Sequence, residues 1–301
     1  MSLDRDHQLH DVLQGAQLPR WLDRVGLRPD DRADVEALIA AVLDRPEDLV
    51  VVDRLAEALR RTLGRFPGEP DRDPFPGYDP AADPYAPGAL PLLALLATAP
   101  DLVAFHASRG VEEAVSARTL TELGQQAWVH RRTYGRFGVH TYGWLPVSWS
   151  GSLYWLGRLQ FNLELQSEGW VCSTHIPQAG PLDPAAVDAS FRSAAAFFHQ
   201  HFPERPVTDF WCHSWLLDPA LAAALDPASN IVHFQRRWHL YGDPMPGDED
   251  ALFFTFAHRG EVDLDALPQQ TSLQRAIVQR LRTGDHWSLR TGRIPISEAV
   301  A

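Results

Sequence analysis

Residues 169–202 read GWVCSTHIPQAGPLDPAAVDASFRSAAAFFHQHF. The first eight residues predict a strand, and the loop PQAGPL leads from it into a helix over residues 184–202. Asp183 and Pro184 are the residue types expected at a helix N-cap and at the first helical position. A further strand is predicted over residues 208–217, so the segment forms one βαβ crossover within a sheet. The apolar face of the helix comprises Val187, Phe191, Ala194, Ala195, Phe198 and Phe202.

Alternation of polar and apolar residues predicts strands on both sides of this crossover. Two precede it, over residues 136–149 and 153–165, and a turn at 148–152 joins them. Two follow it, over residues 231–241 and 251–258, with a turn at 243–250. Helices are predicted over residues 219–225 and 271–282. The predicted order is therefore β-β-β-α-β-α-β-β, a mixed sheet with flanking helices.

The N-terminal part of the chain has helical rather than strand-like spacing of its apolar residues. Apolar residues recur every three or four positions over residues 1–64, and helical patterns return at 90–99 and 111–130. Between them, residues 65–91 are rich in proline and form either a linker or a strap or lid over a cleft, with Phe75, Tyr78 and Tyr85 as apolar anchors. We therefore predict an α+β protein with a helical N-terminal domain over residues 1–130 and a sheet domain over 131–301.

Composition excludes several classes of protein. The 301 residues carry a formal net charge of −12 without a prominent Lys/Arg run, so no nucleic-acid partner is expected. The N-terminal MSLDRDHQLHD has no apolar core and does not resemble a secretory signal. The longest apolar run, residues 90–99, is far shorter than the about 20 residues of a membrane span, so no membrane partner is expected. With only Cys172 and Cys212, the chain is expected in the reducing cytoplasm.

The predicted order of elements resembles that of the GCN5-related N-acyltransferases (GNAT). The segments 175–203, 212–225 and 229–238 also resemble a bacterial acyltransferase family, in which a GNAT-like domain follows a helical N-terminal domain. This resemblance implies transfer of an acyl group from acyl-CoA, or from an acyl-carrier protein, to an amine or hydroxyl of a small molecule or peptide. It also implies that the pantetheine arm of the donor lies between the strands that carry His175 and His213.

The loop after the third strand is where the resemblance places the diphosphate of coenzyme A. The implied binding residues are Ile176, Gln178, Ala179, Gly180 and Leu182. Backbone N–H groups at a helix N-terminus hold anions, but Pro177, Pro181 and Pro184 have none to give. Asp183 adds a carboxylate at the same place. Two alternatives follow: the diphosphate is held by Arg192, Arg236 or Arg237, or the protein is a non-catalytic GNAT-fold module that binds acyl groups or other ligands.

Three residues are candidates for the base that acyl transfer to an amine requires. His175 ends the strand before the loop, and His213 shares a strand face with Trp211 and Trp215. Glu164 ends a polar ladder on the second strand, a common base position in the superfamily that the sequence resembles. Each has a structural alternative, since a histidine can be a core residue and the ladder can be a solvated sheet face.

Other chemistry has weaker support in the sequence. Cys172 and Cys212 are candidate nucleophiles, but buried cysteine is more often a small apolar residue. Ser214 and Tyr241 are candidate acids for the departing thiolate. His199 and His201 are two apart on a helix and diverge, and the chain has no HExxH or CxxC motif, so no metal is expected.

Overall fold

The computed structural model describes residues 12–70 and 72–300. The chain forms two compact units. Unit 1 contains the described residues up to 155 together with 162–165, and unit 2 contains residues 156–161 and those from 166 onward. The helical segment predicted over residues 1–64 is helical over most of its described part. Residues 1–11, and with them the N-terminal sequence discussed above, lie outside the described residues.

Unit 1 is helical and surrounds one apolar helix. Within that helix, Leu92, Leu93, Leu95 and Leu96 are fully buried in the core of the unit. By length and composition it is the one helix in the described chain that could cross a membrane, but 72% of its apolar window is buried inside the protein. The helices are α1 (Leu18–Arg24), α2 (Pro29–Leu43), α3 (Pro46–Thr62), α4 (Ala89–Ser108), α5 (Glu113–Leu120), α6 (Glu122–Tyr134) and α7 (Leu145–Trp149), of which α4 is the apolar one.

The proline-rich segment belongs to unit 1 and is anchored there by the three aromatic residues named in the sequence analysis. Phe75 is buried in the core, and the ring of Tyr142 packs on both Phe75 and Tyr78. The Tyr78 hydroxyl donates to Asp83 at 2.8 Å, and the Tyr85 hydroxyl donates to the Asp48 carboxylate at 2.7 Å.

Six strands form one mixed sheet in the order β1-β2-β3-β4-β6-β5. The β3 and β4 strands are parallel, whereas β6 runs antiparallel to both β4 and β5. The mixed sheet follows the helical region along the chain, which confirms the predicted α+β class, and the parallel pairing of β3 and β4 confirms the crossover. The strands are β1 (Leu153–Leu156), β2 (Leu159–Gln166), β3 (Gly169–His175), β4 (Val207–Ser214), β5 (His239–Pro246) and β6 (Ser288–Pro295).

The long crossover helix covers one face of the sheet in unit 2. It is α8 (Pro184–His201), and its Phe191 ring lies 4.8 Å from Phe210 of β4 and 5.7 Å from Phe161 of β2. Burying each such ring stabilises the fold by roughly 1.5–3 kcal/mol. The other helices of unit 2 are α9 (Pro219–Ala224), α10 (Asn230–Gln235), α11 (Asp248–Phe256), α12 (Ser272–Arg282) and α13 (Ile296–Ala299).

Several predicted strands are wrong, and local helix signals explain two of them. Residues 136–149 form turns followed by α7, although their aromatic spacing resembles that of a strand. Residues 231–235 belong to α10, where the Ser229 side chain caps the helix by accepting the Val232 N–H. Residues 251–256 belong to α11, whose first turn carries three acidic residues that favour a helix N-terminus.

Strand boundaries also differ from the prediction. The segment 153–165 divides into two strands at Gly157, which adopts a φ of 73°. The β5 strand runs to Pro246 through the predicted turn at 243–250. The β6 strand was not predicted, because residues 288–295 show no apolar alternation.

Candidate active site

The β3 and β4 strands pair over only part of their length. The register joins Trp170 to Val207, Cys172 to Phe210 and Ser173 to Trp211. Beyond Ser173 and Trp211 no pair joins these two strands within the described part of the chain, although β4 continues to pair with β6 as far as Ser214. The strands therefore part between residues 174–176 and 212–214, an opening called here the β3–β4 fork.

The two candidate histidines occupy equivalent positions at the fork. Ser173 and Trp211 are the last paired residues, and His175 and His213 each follow by two positions on their strands. Side chains two apart on a strand share a face, so both imidazoles belong to the face that carries Trp211. That face is opposite the α8 side, where Phe210 packs on Phe191.

His175 lies at the end of β3 with part of its surface exposed. Dense packing around the ring lowers its pKa to about 4, because burial penalises the charged imidazolium. The imidazole is therefore neutral at pH 7, which is the form that can accept a proton.

His213 is exposed on β4 and is oriented by the neighbouring strand. Its Nδ1 atom lies 2.9 Å from the Thr291 hydroxyl of β6. Trp211 on the same face makes an edge contact with Tyr241 of β5, with ring centroids 5.5 Å apart. The predicted third member of this face, Trp215, instead begins a 3₁₀ turn after β4 ends at Ser214, and it packs against Trp287.

Glu164 lies on the part of β2 that belongs to unit 1, whereas His175 and His213 belong to unit 2. Its charge acts on the Arg72 guanidinium in unit 1: burial lowers the pKa of Arg72, and Glu164 partly opposes that shift. The ladder is not a solvated face, since Gln160 and Asn162 are buried with 3% and 2% exposure.

The two cysteines lie in the core beside the fork. Burial raises the pKa of the Cys212 thiol to about 12 and that of Cys172 well above its ordinary value. Neither forms an appreciable amount of thiolate at neutral pH, so the covalent alternative loses its nucleophile.

Polar atoms without protein partners lie beside the fork. Thr174 precedes His175 and therefore faces the opposite, α8 side of the sheet; it is 3% exposed and its Oγ1 has no hydrogen-bond partner. The Nε1 atom of Trp211, on the His175 face, is likewise buried without one. Buried polar atoms are almost always hydrogen-bonded in proteins, so the Thr174 hydroxyl is available to a ligand that reaches this face of β3. Nothing in the sequence marks Thr174 beyond its position beside His175.

The β3–α8 loop, residues 176–183, is held by an arginine that sequence reasoning placed only in the polar ladder. The Arg158 guanidinium donates to the carbonyls of Pro177, Gly180 and Pro181 at 3.0, 2.7 and 2.9 Å. Gln178, Ala179 and Gly180 are exposed on this loop, Ile176 is half-buried and Leu182 is buried. The Ala179 N–H donates to the Pro177 carbonyl at 2.8 Å and so has a partner within the loop.

The start of α8 offers few donors to an anion. The Asp183 carboxylate accepts the Ala186 N–H at 3.0 Å, and Pro184 has no N–H. Among the arginines proposed as substitutes, Arg237 pairs with Asp188 and approaches the Pro184 carbonyl at 3.5 Å. Arg192 and Arg236 are exposed. In the described residues, no group of three or more His, Cys, Asp or Glu side chains is arranged to hold a metal ion.

Comparisons with known proteins identify the family. An N-acyltransferase N-terminal domain family matches residues 16–151, and a GNAT-like C-terminal domain family matches residues 153–294. No curated protein sequence matches the chain.

Solved acyltransferase structures resemble it over nearly its whole length. One, in complex with decanoyl-CoA, is 35% identical over 91% of this chain and 85% of that one, with a TM-score of 0.83. A second holds decanoyl-CoA and teicoplanin (34% identity, 91% and 86% coverage, TM-score 0.82). A third holds CoA and 10C-teicoplanin (34%, 94% and 88%, 0.84). The chain thus belongs to the acyltransferases that join an N-acyltransferase N-terminal domain to a GNAT-like C-terminal domain, and it is an enzyme that transfers acyl groups from acyl-CoA to a small-molecule or peptide acceptor.

Proposed function

We propose that the enzyme transfers a medium-chain acyl group to an amine of a glycopeptide, with the donor thioester in the β3–β4 fork and His175 as the base. The observation that carries the proposal is the end of strand pairing at Ser173 and Trp211, which leaves His175 and His213 on one face of the opening. The similar acyltransferases in complex with decanoyl-CoA and teicoplanin support the choice of chain length and acceptor class.

The reaction is a direct transfer. The amine nitrogen bonds to the thioester carbonyl carbon, the carbon–sulfur bond breaks, and the amine loses a proton. His175 accepts that proton as a neutral imidazole. A base whose pKa is about 4 suffices late in the reaction, because the attacking nitrogen becomes strongly acidic once its bond to carbon forms. The departing thiolate of coenzyme A then takes up the proton that His175 accepted, which returns the imidazole to its neutral form.

Two neighbouring side chains assist. From the opposite face of β3, the Thr174 hydroxyl, buried and without a protein partner, donates a hydrogen bond to a carbonyl oxygen that points to that face, as negative charge develops on it. His213, exposed and held by Thr291, contacts the acceptor and orients its amine. Both assignments use residues that flank the fork.

The test is acyl transfer by the full chain, measured by mass spectrometry of product and by release of coenzyme A. Acyl-CoA donors of two to twelve carbons are offered to the teicoplanin scaffold without its acyl group, to aminosugars and to short peptides. We expect transfer of chains of eight to ten carbons to the glycopeptide to exceed transfer of acetyl by at least about tenfold, the scale of differences of a few methylenes in an apolar pocket. Equal rates for acetyl and decanoyl donors would contradict the chain length, and a glycopeptide that is never acylated would contradict the acceptor.

The donor carrier is tested in the same assay. Decanoyl-CoA competes with decanoyl groups borne on an acyl-carrier protein, and we expect coenzyme A to be preferred. His175→Gln should slow transfer by roughly 10²–10⁴-fold, because a positioned base contributes that much. His199→Gln, which alters an exposed histidine of α8, is the matched control and should retain wild-type turnover.

A further inference from the structure

Arg158 is fixed in place by its backbone as well as by its side chain. It follows Gly157 in the tight turn between β1 and β2, and its N–H donates to the Ser190 hydroxyl of α8 at 2.7 Å. Ser190 in turn donates to the Ala186 carbonyl at 2.9 Å. A Cβ at Gly157 would lie 2.6 Å from the Ser190 hydroxyl, so glycine allows the turn to approach the helix this closely. The turn therefore fixes the backbone from which the Arg158 side chain extends.

The Arg158 guanidinium determines the orientation of peptide groups in the β3–α8 loop. Its contacts to the Pro177 and Pro181 carbonyls orient two peptide planes. In a planar trans peptide the C=O and the following N–H point in opposite directions. The N–H groups of Gln178 and Leu182 are thus turned away from Arg158. Gly180 adopts a φ of 96° and a Cβ there would meet no atom within 4 Å, so this part of the loop borders open space.

The charge of Arg158 has no counter-ion in the described structure. All three of its side-chain hydrogen bonds go to neutral carbonyls, and none of the described carboxylates forms an ion pair with it. Burial lowers its pKa, but arginine stays charged in proteins. A partly buried cation without a counter-ion is unfavourable, and an anion on the other side of the loop would offset part of the cost through Coulomb attraction.

The β3–α8 loop has few backbone N–H groups with which to bind an anion, so an anion bound there depends on a nearby positive charge. Pro177 and Pro181 remove two N–H groups from it, and Pro184 removes one from the start of α8, where the Asp183 carboxylate also lies. Backbone donors alone are therefore too few to hold a diphosphate at this place.

We propose that Arg158 is the positioning residue for the diphosphate of acyl-CoA: it orients the loop that faces the diphosphate and supplies the positive charge that the loop lacks. This inference rests on the proposed placement of the donor in the β3–β4 fork. It adds a residue from the β1–β2 turn to donor binding.

The test compares binding of decanoyl-CoA with that of decanoyl-pantetheine, which lacks the diphosphate together with the adenosine 3′-phosphate, by isothermal titration calorimetry on the full chain. The wild type should bind decanoyl-CoA at least about 30-fold more tightly. Arg158→Met should reduce that preference by about tenfold or more, because it removes both the positive charge and the contacts that orient the loop. Arg158→Lys keeps the charge but cannot bridge three carbonyls, so its preference should be intermediate. Affinity for decanoyl-pantetheine should change less than about threefold in both variants.

Arg275→Met is the matched control, because Arg275 also donates to two loop carbonyls, those of Gln269 and Gln270, at 3.1 and 3.0 Å. It should bind both donors as the wild type does. If the Arg158 variants weaken both donors equally, or neither, the inference is wrong while the proposed function stands. If the wild type binds neither donor, the proposed donor site itself fails. Should Arg158→Met not fold, Arg158→Lys decides by the same ratio.

Discussion

Replacing His175 tests whether the candidate base is a buried neutral imidazole. Its pKa is about 4 in the folded protein, against an ordinary value of 6.5 in the unfolded chain. The unfolded chain therefore binds more protons between pH 4 and 6.5, and stability rises with pH through that window. When the pH falls from 7.5 to 5, His175 alone should remove about 2 kcal/mol of unfolding free energy. His175→Gln keeps a polar side chain without this titration, so its stability should fall by about 2 kcal/mol less than that of the wild type.

The assay is urea unfolding at pH 7.5 and pH 5, followed by circular dichroism, with each resolved transition fitted separately. His106 and His130 also have pKa values lowered to about 4 by burial, and all the proteins compared retain them, so their contribution cancels. His199→Gln should follow the wild type. If the wild type and His175→Gln lose the same free energy on acidification, His175 is not held neutral by burial and the reasoning is refuted.

The same property determines the pH dependence of the reaction. Protonation of an acceptor amine gives log(kcat/KM) a slope of about one below the pKa of the amine. A second, steeper limb should begin only near pH 4, where His175 takes a proton. A break near pH 6.5, the ordinary histidine value, would show that another histidine is the base.

Three further changes have distinct expected outcomes. His213→Ala should raise the KM for the acceptor by about tenfold, with a smaller loss of kcat and little change in Tm, because the side chain is exposed; a loss of kcat alone would instead make His213 the base. Thr174→Val should lower kcat by about 10-fold or more, because it removes the proposed hydrogen bond to the carbonyl oxygen. Tm should not fall, because the buried hydroxyl has no partner in the free protein. Unchanged kcat would remove Thr174 from the mechanism. Gly157→Ala should destabilise unit 2 by about 1–3 kcal/mol in urea unfolding. The new methyl group would lie 2.6 Å from the Ser190 hydroxyl, and residue 157 has a positive φ. Wild-type stability would show that the turn is less rigid than described.

The crossover could be predicted from the sequence because its signals are local and agree with one another. Asp183 caps α8 through the Ala186 N–H, and Pro184 begins the helix, as the residue types indicate. The strands before and after α8 place His175 and His213 at the same level of the sheet. That juxtaposition depends on the parallel pairing of β3 and β4, which the crossover implies.

The errors occurred where apolar or aromatic residues are dense and two periods fit equally well. The apolar run of residues 251–256 predicts a strand, but these residues form a helix. The acidic residues from Asp248 to Asp250 favour a helix N-terminus, and this signal outweighs the apolar run. The β6 strand carries Thr291, which orients His213, yet nothing local marks it as a strand. Its position is set by pairing with β4 and β5, which are distant in the chain. The roles of Arg158 and Thr174 likewise depend on tertiary contacts that no spacing reveals.

A crystal structure of the chain with decanoyl-CoA tests the central claim most directly. We expect the pantetheine chain between residues 174–176 and 212–214, with Ser173 and Trp211 still the last pair of β3 and β4. The thioester should lie within reach of the His175 imidazole, and the diphosphate should lie against the loop held by Arg158. Density for the donor at another place, with β3 and β4 paired through His175 and His213, would contradict it.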